Sequence, residues 1–459
     1  MSKILKKERQ PLSLTEGSVG KALIRFALPF FISSIFQVLY GAADVTFMGR
    51  FATAGAISGV STGGSIMNLV TNLFMGITSG GTVLIGQYFG AKRHKDTTAA
   101  ITSTAFMCLL ISVVVMIIQL VFGKFLIKLL SVPPEAVDEC WNYLKICSFG
   151  NVFIMGYNIT GSLLRGLGNS TAPMVFVGIA CVMNIVLDYV FVALLGMAAS
   201  GAALATVISQ FISFALACLY IWKTGFPYEF HKEHIRVDAK IIANMFRLGV
   251  PMSLQNTLVS ISFLVITKVT NQMGVNAAAG ASLVGKVVDI GMTFPWALSS
   301  ALSTITAQNI GAGKPERAKK SAFYGMAFSL CIGVPFVTIA HIIPKQLLGL
   351  LTTDMAVIEA GVGYLYPFSW DCILVCFMFC LNGLFNGSGK TAFVAAHSMA
   401  TAFLVRIPIA YFMSRIDGAT LFHVGLGTPS ASIVSLVLCI FFFRKYYAGD
   451  KIKNVQMIG

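Results

Sequence analysis

Twelve apolar segments, an internal repeat of about 221 residues and a scarcity of charge predict an all-α polytopic membrane protein of two pseudo-symmetric six-helix lobes. Of the 459 residues, 56% are hydrophobic and only 11% charged, with a mean hydropathy of +0.80, whereas a soluble globule carries about 25% charged residues. The repeat shows at three landmarks. Residues 161–173, GSLLRGLGNSTAP, return in weakened form at 382–394 as NGLFNGSGKTAFV. Gln87-Tyr88-Phe89-Gly90-Ala91 returns as Gln308-Asn309-Ile310-Gly311-Ala312, and FALP ending at Pro29 returns as RLGVP ending at Pro251. The first two pairs lie 221 residues apart and the third 222. Hydropathic repeats of this kind build many secondary transporters, whose substrate path lies between the halves.

A helix needs roughly 20 apolar residues to cross the hydrocarbon core. In the first half such runs fall at 22–44, which contains Pro29 and closes on Asp44, then at 53–76, 97–122, 141–163, 173–194 and 200–222. A polar stretch over 223–244, containing FPYEFHKEHIRVDAK, links this to the second half. There the runs fall at 245–268, 278–307, 321–344, 361–384, 391–413 and 424–443, the eighth long enough for its end to emerge from the bilayer. The predicted organisation is therefore a cytoplasmic segment 1–21, an N-lobe 22–222, a linker 223–244, a C-lobe 245–443 and a cytoplasmic tail 444–459. Long unalternating runs exclude a β-barrel, whose strands alternate between lipid and lumen. Pro29, Pro251, Pro295, Pro335 and Pro408 interrupt spans, free backbone carbonyls and make kinks that can serve as hinges, Pro29 and Pro251 foremost.

Cationic loops resist translocation, so the 33 Lys and Arg report orientation. The termini and the loops after spans 2, 4, 6, 8 and 10 hold 24, among them Lys3, Lys6, Lys7, Arg9, Lys92, Arg93, Lys95, Lys232, Arg236, Lys314, Arg317, Lys319 and Lys320. The opposite loops hold six: Arg50, Lys124, Lys128, Lys268, Lys345 and Arg415. Lys145, Lys286 and Arg406 lie within spans. This ratio predicts both termini in the cytoplasm, and it makes the net charge of +15 a topology signal, since no nucleic-acid-binding motif accompanies it. The polar first 20 residues lack an apolar core with a cleavage site, so no removable signal peptide is expected.

No catalytic machinery is expected. GLFNGSGKT at 383–391 has five residues between its outer glycines where a phosphate loop needs four, and no strand precedes it; it reads instead as the repeat of GLGNST. The ten Cys, with Cys372, Cys376 and Cys380 on one helical stripe, read as packing residues, and His231 with His234 as a solvated loop without a third metal ligand. The 20 Met and 36 Phe read as packing or lipid contacts, some of which can line an adaptable cavity. No cofactor is expected, and energy must come from an ion gradient or from the substrate itself.

That points to acids inside spans, which are costly in hydrocarbon. Asp44, Asp188, Asp289 and Asp371 qualify. Asn184 and Asp188 are four apart and share a helix face, while Thr206 lies in the sixth span. Two carboxylates with amide and hydroxyl oxygens can hold Na⁺ or share a proton, or can simply pin the bundle through hydrogen bonds. Asp289 has Lys286 three residues away as a neutralising partner. Asp371 is either a second cation site or a polar anchor.

Together these residues resemble a family, the multidrug and toxic compound extrusion (MATE) transporters, and within it the DinF-like bacterial branch. The resemblance covers nearly the whole chain. It rests on Tyr40-Gly41-Ala42-Ala43-Asp44 running into Phe47-Met48-Gly49-Arg50, on GQYFGA, LLRGLGNSTAP and NIVLDYVF, on SGAALAT ending at Thr206, and on AQNIGAGKPERAKK after the eighth span. It implies two six-helix lobes around a central cavity in the bacterial inner membrane, and antiport of small, often cationic organic compounds against H⁺ or Na⁺ by a monomer. It carries the N-lobe coupling site onto Asp44, Asn184, Asp188 and Thr206, with Asn158 as a neighbour. The NorM-like branch uses a Glu in helix 7 and an Asp in helix 10. Here residues 252–265, MSLQNTLVSISFLV, hold no acid and Asp371 falls about a turn from the expected place, so coupling is expected in the N-lobe. The runner-up, a flippase for lipid-linked precursors, asks for a strongly cationic cavity, for which Lys286 and Arg406 are the chief interior cations.

Overall fold

The computed structural model describes residues 13–130, 132–448 and 457. Much of the segments 1–21 and 444–459 lies outside them. The described residues form twelve long helices and no strand. The first half comprises α1 (Val19–Phe51), α2 (Ala54–Gly90), α3 (His94–Leu129), α4 (Pro134–Gly166), α5 (Thr171–Leu194) and α6 (Ala198–Thr224). The second comprises α7 (Ala239–Gln272), α8 (Val275–Gly311), α9 (Pro315–Ile342), α10 (Met355–Gly387), α11 (Thr391–Met413) and α12 (Leu421–Tyr446). Each expected span falls on one of them. Eleven are long and apolar enough to cross a membrane. The twelfth, α4, carries Glu135, Asp138, Glu139, Lys145 and Arg165, and packs against α2, α3 and α6. Glu135, Asp138 and Lys145 are exposed, whereas Asn151 is buried and donates to Gln119 of α3 at 2.7 Å.

Most helices run past the expected spans, α2 to Gly90 for one, and two boundaries have an evident local cause. The ninth span, expected to run to 344, ends at Ile342 because Pro344 opens a separate short helix, Pro344–Gly349. Within the expected linker, α7 already begins at Ala239, capped by Asp238, whose Oδ1 accepts from the amides of Lys240 (2.9 Å) and Ile241 (3.3 Å). Pro367 also lies inside α10, beside the expected interior prolines Pro29, Pro251, Pro295 and Pro335. Pro408 instead follows a π-helical turn, Ala402–Arg406, and a second π turn, Tyr189–Leu194, closes α5 directly after Asp188.

The repeat is kept in the length of two helix pairs and in turn geometry. α2 and α8 are each 37 residues and α4 and α10 each 33. After α2, Arg93 N donates to Tyr88 O (3.0 Å) with Lys92 at φ +57°; after α8, Lys314 N donates to Asn309 O (2.8 Å) with Gly313 at φ +68°. GLGNST and its counterpart NGSGKT form the same left-handed helix stop: Asn169 N bonds Leu164 O and Lys390 N bonds Phe385 O, both at 2.8 Å, around Gly168 and Gly389 at φ +89° and +78°. The phosphate-loop likeness of GSGKT is therefore a helix C-terminus.

The chain forms two compact units. Leu28–Ser253 makes one; Leu14–Ala27 with the described residues from Leu254 onward makes the other. The division thus falls inside α1 and α7 and not in the linker, so residues 22–27, read as N-lobe, pack with the second unit, and 245–253, read as C-lobe, with the first. The physical reason in the first unit is backbone contact. α7 crosses α2 where Gly249 meets Gly76 and Ile77 and Gly80 meets Met245 and Gly249, and a Cβ on Gly80 would sit 2.7 Å from Gly249 N. Only glycine admits so close an approach. Gly80→Ala and Gly249→Ala are expected to lose about 1–3 kcal/mol through forced backbone shifts. Thermal unfolding in detergent should show this as a lowered midpoint for both, against an unchanged Gly64→Ala, whose Cβ meets nothing within 4 Å.

Candidate functional site

Within the first unit, α1, α5 and α6 bring together four of the five residues assigned to the N-lobe site. Tyr40 and Asp44 lie four apart on one face of α1, as Asn184 and Asp188 do on α5. With its carboxamide nitrogen turned toward the acids, the orientation its surroundings require, Asn184 donates to Asp44 Oδ1 and to Asp188 Oδ2, both at 3.2 Å. One amide thus bridges two carboxyl groups that are themselves within reach of a shared hydrogen bond. Asn184 and Asp188 are wholly buried, and Asp44 half-buried. Thr206 of α6 accepts from Tyr40 Oη at 2.7 Å, so it joins the cluster through α1 and not through the acids directly. Tyr143 and Cys147 of α4, hydrogen-bonded to each other, complete the surroundings. Asn158 does not join: it donates to Ile154 O of its own helix at 2.8 Å, and no hydrogen bond to the acids is seen among the described residues.

Two features give this cluster its chemistry. Among the described residues no Lys, Arg or His lies within 4.0 Å of either acid. Asp188 Oδ1 is buried without a partner. A buried carboxylate pair with no counter-charge and an unsatisfied oxygen is unstable as two anions; it needs a proton or a bound cation. The donor set is all oxygen, which suits Na⁺ or H⁺, and no group of three His, Cys, Asp or Glu residues capable of holding a metal occurs among the described residues.

The second unit treats its acids differently. Asp371 of α10 is 3% exposed, hydrogen-bonds Ser432 of α12 and lies near the Arg406 guanidinium. Arg406 donates to Ser262 Oγ at 3.0 Å and lies 4.4 Å over the Phe263 ring. Asp371 thus has a guanidinium in its neighbourhood, which the first unit's pair lacks, but no Lys, Arg or His within 4.0 Å among the described residues, and its Oδ1 and Arg406 Nε are buried without a partner. Asp289 and Lys286 are both on exposed surface of α8, and the ion pair expected between them does not form: no such contact within 4.0 Å occurs among the described residues. The ten cysteines are free, and Cys372, Cys376 and Cys380 are buried in packing. His231 and His234 stack edge-on, with ring centroids 5.4 Å apart, in the link between the halves.

Sequence reasoning missed three interior polar centres. Tyr40 stands one turn before Asp44, a spacing legible in the sequence. Arg165 of α4, counted among loop cations, sits 5.1 Å over the Phe30 ring and donates to Ser162 Oγ at 3.2 Å. His397 of α11, 3% exposed, joins Asn382 Oδ1 (3.1 Å) and Ser435 Oγ (2.8 Å), tying α10, α11 and α12. A lone His in an apolar run was the available signal.

Comparison with known proteins follows the repeat. The MatE family model matches the chain twice, over residues 29–190 and 251–412. The probable multidrug resistance protein YoeA of Bacillus subtilis is 27% identical over 94% of both chains. The multidrug export protein MepA of Staphylococcus aureus is 22% identical over 90% of this chain and 91% of its own. Among solved structures, the outward-facing conformation of a multidrug resistance MATE family transporter of the MOP superfamily superposes with TM-score 0.90 at 20% identity, covering 98% of this chain and 99% of the other. A crystal structure of MATE in complex with MaL6 gives the same TM-score and identity, covering 97% and 99%. At such identity the structures share the fold alone. The double match of the family model, one copy per half, is what shows descent: this chain belongs to the MatE family of membrane transporters and is not an enzyme.

Proposed function

We propose that the chain exports small cationic or amphipathic organic compounds by antiport against H⁺ or Na⁺, with alternating access. The carrying observation is the Asp44–Asn184–Asp188 cluster: a buried acid pair bridged by one amide, with no neighbouring cation and one orphaned oxygen. Such a cluster binds a cation or proton strongly enough to change local packing, and it can drive a conformational equilibrium only by binding its two states unequally. Entry of the ion relieves the repulsion between Asp44 and Asp188 and lets α1 close on α5 while Tyr40 keeps α1 tied to Thr206. The change is carried along α1 to the kink at Pro29, and the bound compound is released outward. The relatives named for multidrug resistance or export support the substrate class. The excess of Lys and Arg in alternate loops supports cytoplasmic termini, and the bacterial relatives support a location in the bacterial cytoplasmic membrane.

The flippase reading asks for interior cations free to hold a pyrophosphate. Arg406 is engaged by Ser262 and Phe263 with Asp371 in its neighbourhood, and Lys286 is exposed, so the efflux reading is preferred.

The test is efflux of a fluorescent cationic dye from proteoliposomes under imposed pH or Na⁺ gradients. Asp44→Asn and Asp188→Asn are each expected to abolish gradient-driven efflux; efflux unaffected by both would move coupling away from the N-lobe. A second measurement separates the lobes. Asp371→Asn is expected to lower the thermal midpoint because it leaves Arg406 uncompensated, and the double variant Asp371→Asn/Arg406→Met should restore it, as replacing a buried pair by apolar groups does. A double variant as unstable as the single one would show that Asp371 and Arg406 are not a balanced pair.

A further inference from the structure

The chain entering α1 is gripped in an unusual way. Within the second unit, four consecutive backbone carbonyls are taken by three side chains from the end of α8, the turn after it and the start of α9. Arg317 donates to Leu14 O (Nε, 3.3 Å), Glu16 O (Nη2, 2.6 Å) and Gly17 O (Nη1, 2.6 Å). Lys314 Nζ donates to Thr15 O at 3.0 Å and Asn309 Nδ2 to Leu14 O at 3.1 Å. The Leu14 side chain is 1% exposed, and Gly17, at φ +69°, turns the chain into the helix. A charged fork using several of its N–H groups on one short segment is among the stronger and more directional contacts a side chain can make.

The position of this clamp along α1 gives it a role. Residues 14–27 belong to the second unit and the remainder of α1 to the first, and the change occurs two residues before Pro29. Pro29 cannot donate to the carbonyl four residues earlier, so the helix is soft there. Ser33 and Ser34 turn their hydroxyls onto the carbonyls of Pro29 (2.8 Å) and Phe30 (3.1 Å), which favours a bend further. Beyond the bend, Tyr40 and Asp44 are held by Thr206 and Asn184. One helix is therefore fixed at its entry by Arg317, fixed at its far end by the acid cluster, and weak between.

The other half repeats the arrangement with opposite charge. Position 96, 221 residues before Arg317, is Asp96, which takes Arg93 (2.8 Å) and Arg236 (3.5 Å). Asp238 N donates to Ser103 Oγ at 3.0 Å, and Tyr228 stacks on His94 with ring centroids 5.0 Å apart, so the chain entering α7 is tied to the turn after α2. α7 likewise changes unit between Ser253 and Leu254, two residues after Pro251. The same tie built from unrelated side chains in both copies argues that the tie itself is what matters.

The structure assigns Arg317 as a positioning residue for transport: it anchors the entry of α1 to the second unit, so that a change at Asp44 bends α1 at Pro29 instead of sliding the helix. Resting on the efflux reading, this adds the element that transmits the ion's effect. Hydrogen exchange read by mass spectrometry on the full chain in detergent tests it without requiring transport. Arg317→Ala is expected to raise exchange at residues 19–27 by about 10-fold or more, the loss of one or two charge-assisted bonds, while α4 and α10 exchange as before. Asp44→Asn, which imitates a neutral acid, should alter exchange at 19–27 in the native background and leave it unaltered when Arg317 is also Ala. Arg317→Lys, which keeps the charge without the fork, should fall between and serves if the alanine variant does not fold. In proteoliposomes, Arg317→Ala should bind dye as the native chain does, yet export it more slowly while the ion gradient collapses faster. Exchange at 19–27 unchanged by Arg317→Ala, an Asp44→Asn effect that reaches those residues regardless, or a rise in exchange throughout the chain would each overturn the assignment. A native chain that exports no dye overturns the efflux reading alone.

Discussion

Two carboxyl groups sharing one buried amide set the terms for this molecule. In hydrocarbon a backbone must satisfy its own hydrogen bonds and a side-chain charge must find a partner. The twelve helices meet the first demand. Asp44, Asn184 and Asp188 leave the second only half met, since Asn184 offers its two N–H donors and no charge. The cluster is held against relaxation from three sides: Asp188 closes the α-helical part of α5, Tyr40 fastens α1 to α6, and α4 fills the space behind. A site that cannot neutralise itself from within must do so from outside.

The two halves answer the same problem in opposite ways. In the second unit Asp371 has Arg406 for company and Ser432 as a donor, and His397 is consumed by Asn382 and Ser435. These groups lock helices together. The first unit's acids thus stand together without a cation nearby, whereas the second unit's buried acid stands apart with a guanidinium in its neighbourhood.

Much of this was legible beforehand, and for identifiable reasons. Span number, repeat length and the identities of Asp44, Asn184, Asp188 and Thr206 follow from apolar run length and from motifs whose letters survive in this chain. Asn158 shared the right helix and residue type, but its amide is spent on Ile154 O, a local bond that spacing does not reveal. The Lys286–Asp289 pair failed because spacing three apart permits an ion pair without compelling one where both side chains can reach out from the helix. Arg165 was hidden by its nearness to a cationic loop. The exchange of helix ends between units could not be read at all, since it depends on where Arg317 and the Gly80–Gly249 crossing place the chain, and neither contact is encoded in periodicity.

The matched helix lengths carry a consequence of their own. α2 and α8, like α4 and α10, have kept identical residue counts while their side chains diverged to the point where Arg317 stands opposite Asp96. A helix buried among others cannot gain or lose one residue without rotating everything beyond it by about 100°, so insertions are confined to the surface links, whereas substitutions need only preserve volume and polarity. In these two helix pairs length is what the repeat has kept and chemistry the part left free to drift, whereas α3 and α9, at 36 and 28 residues, have diverged in length as well.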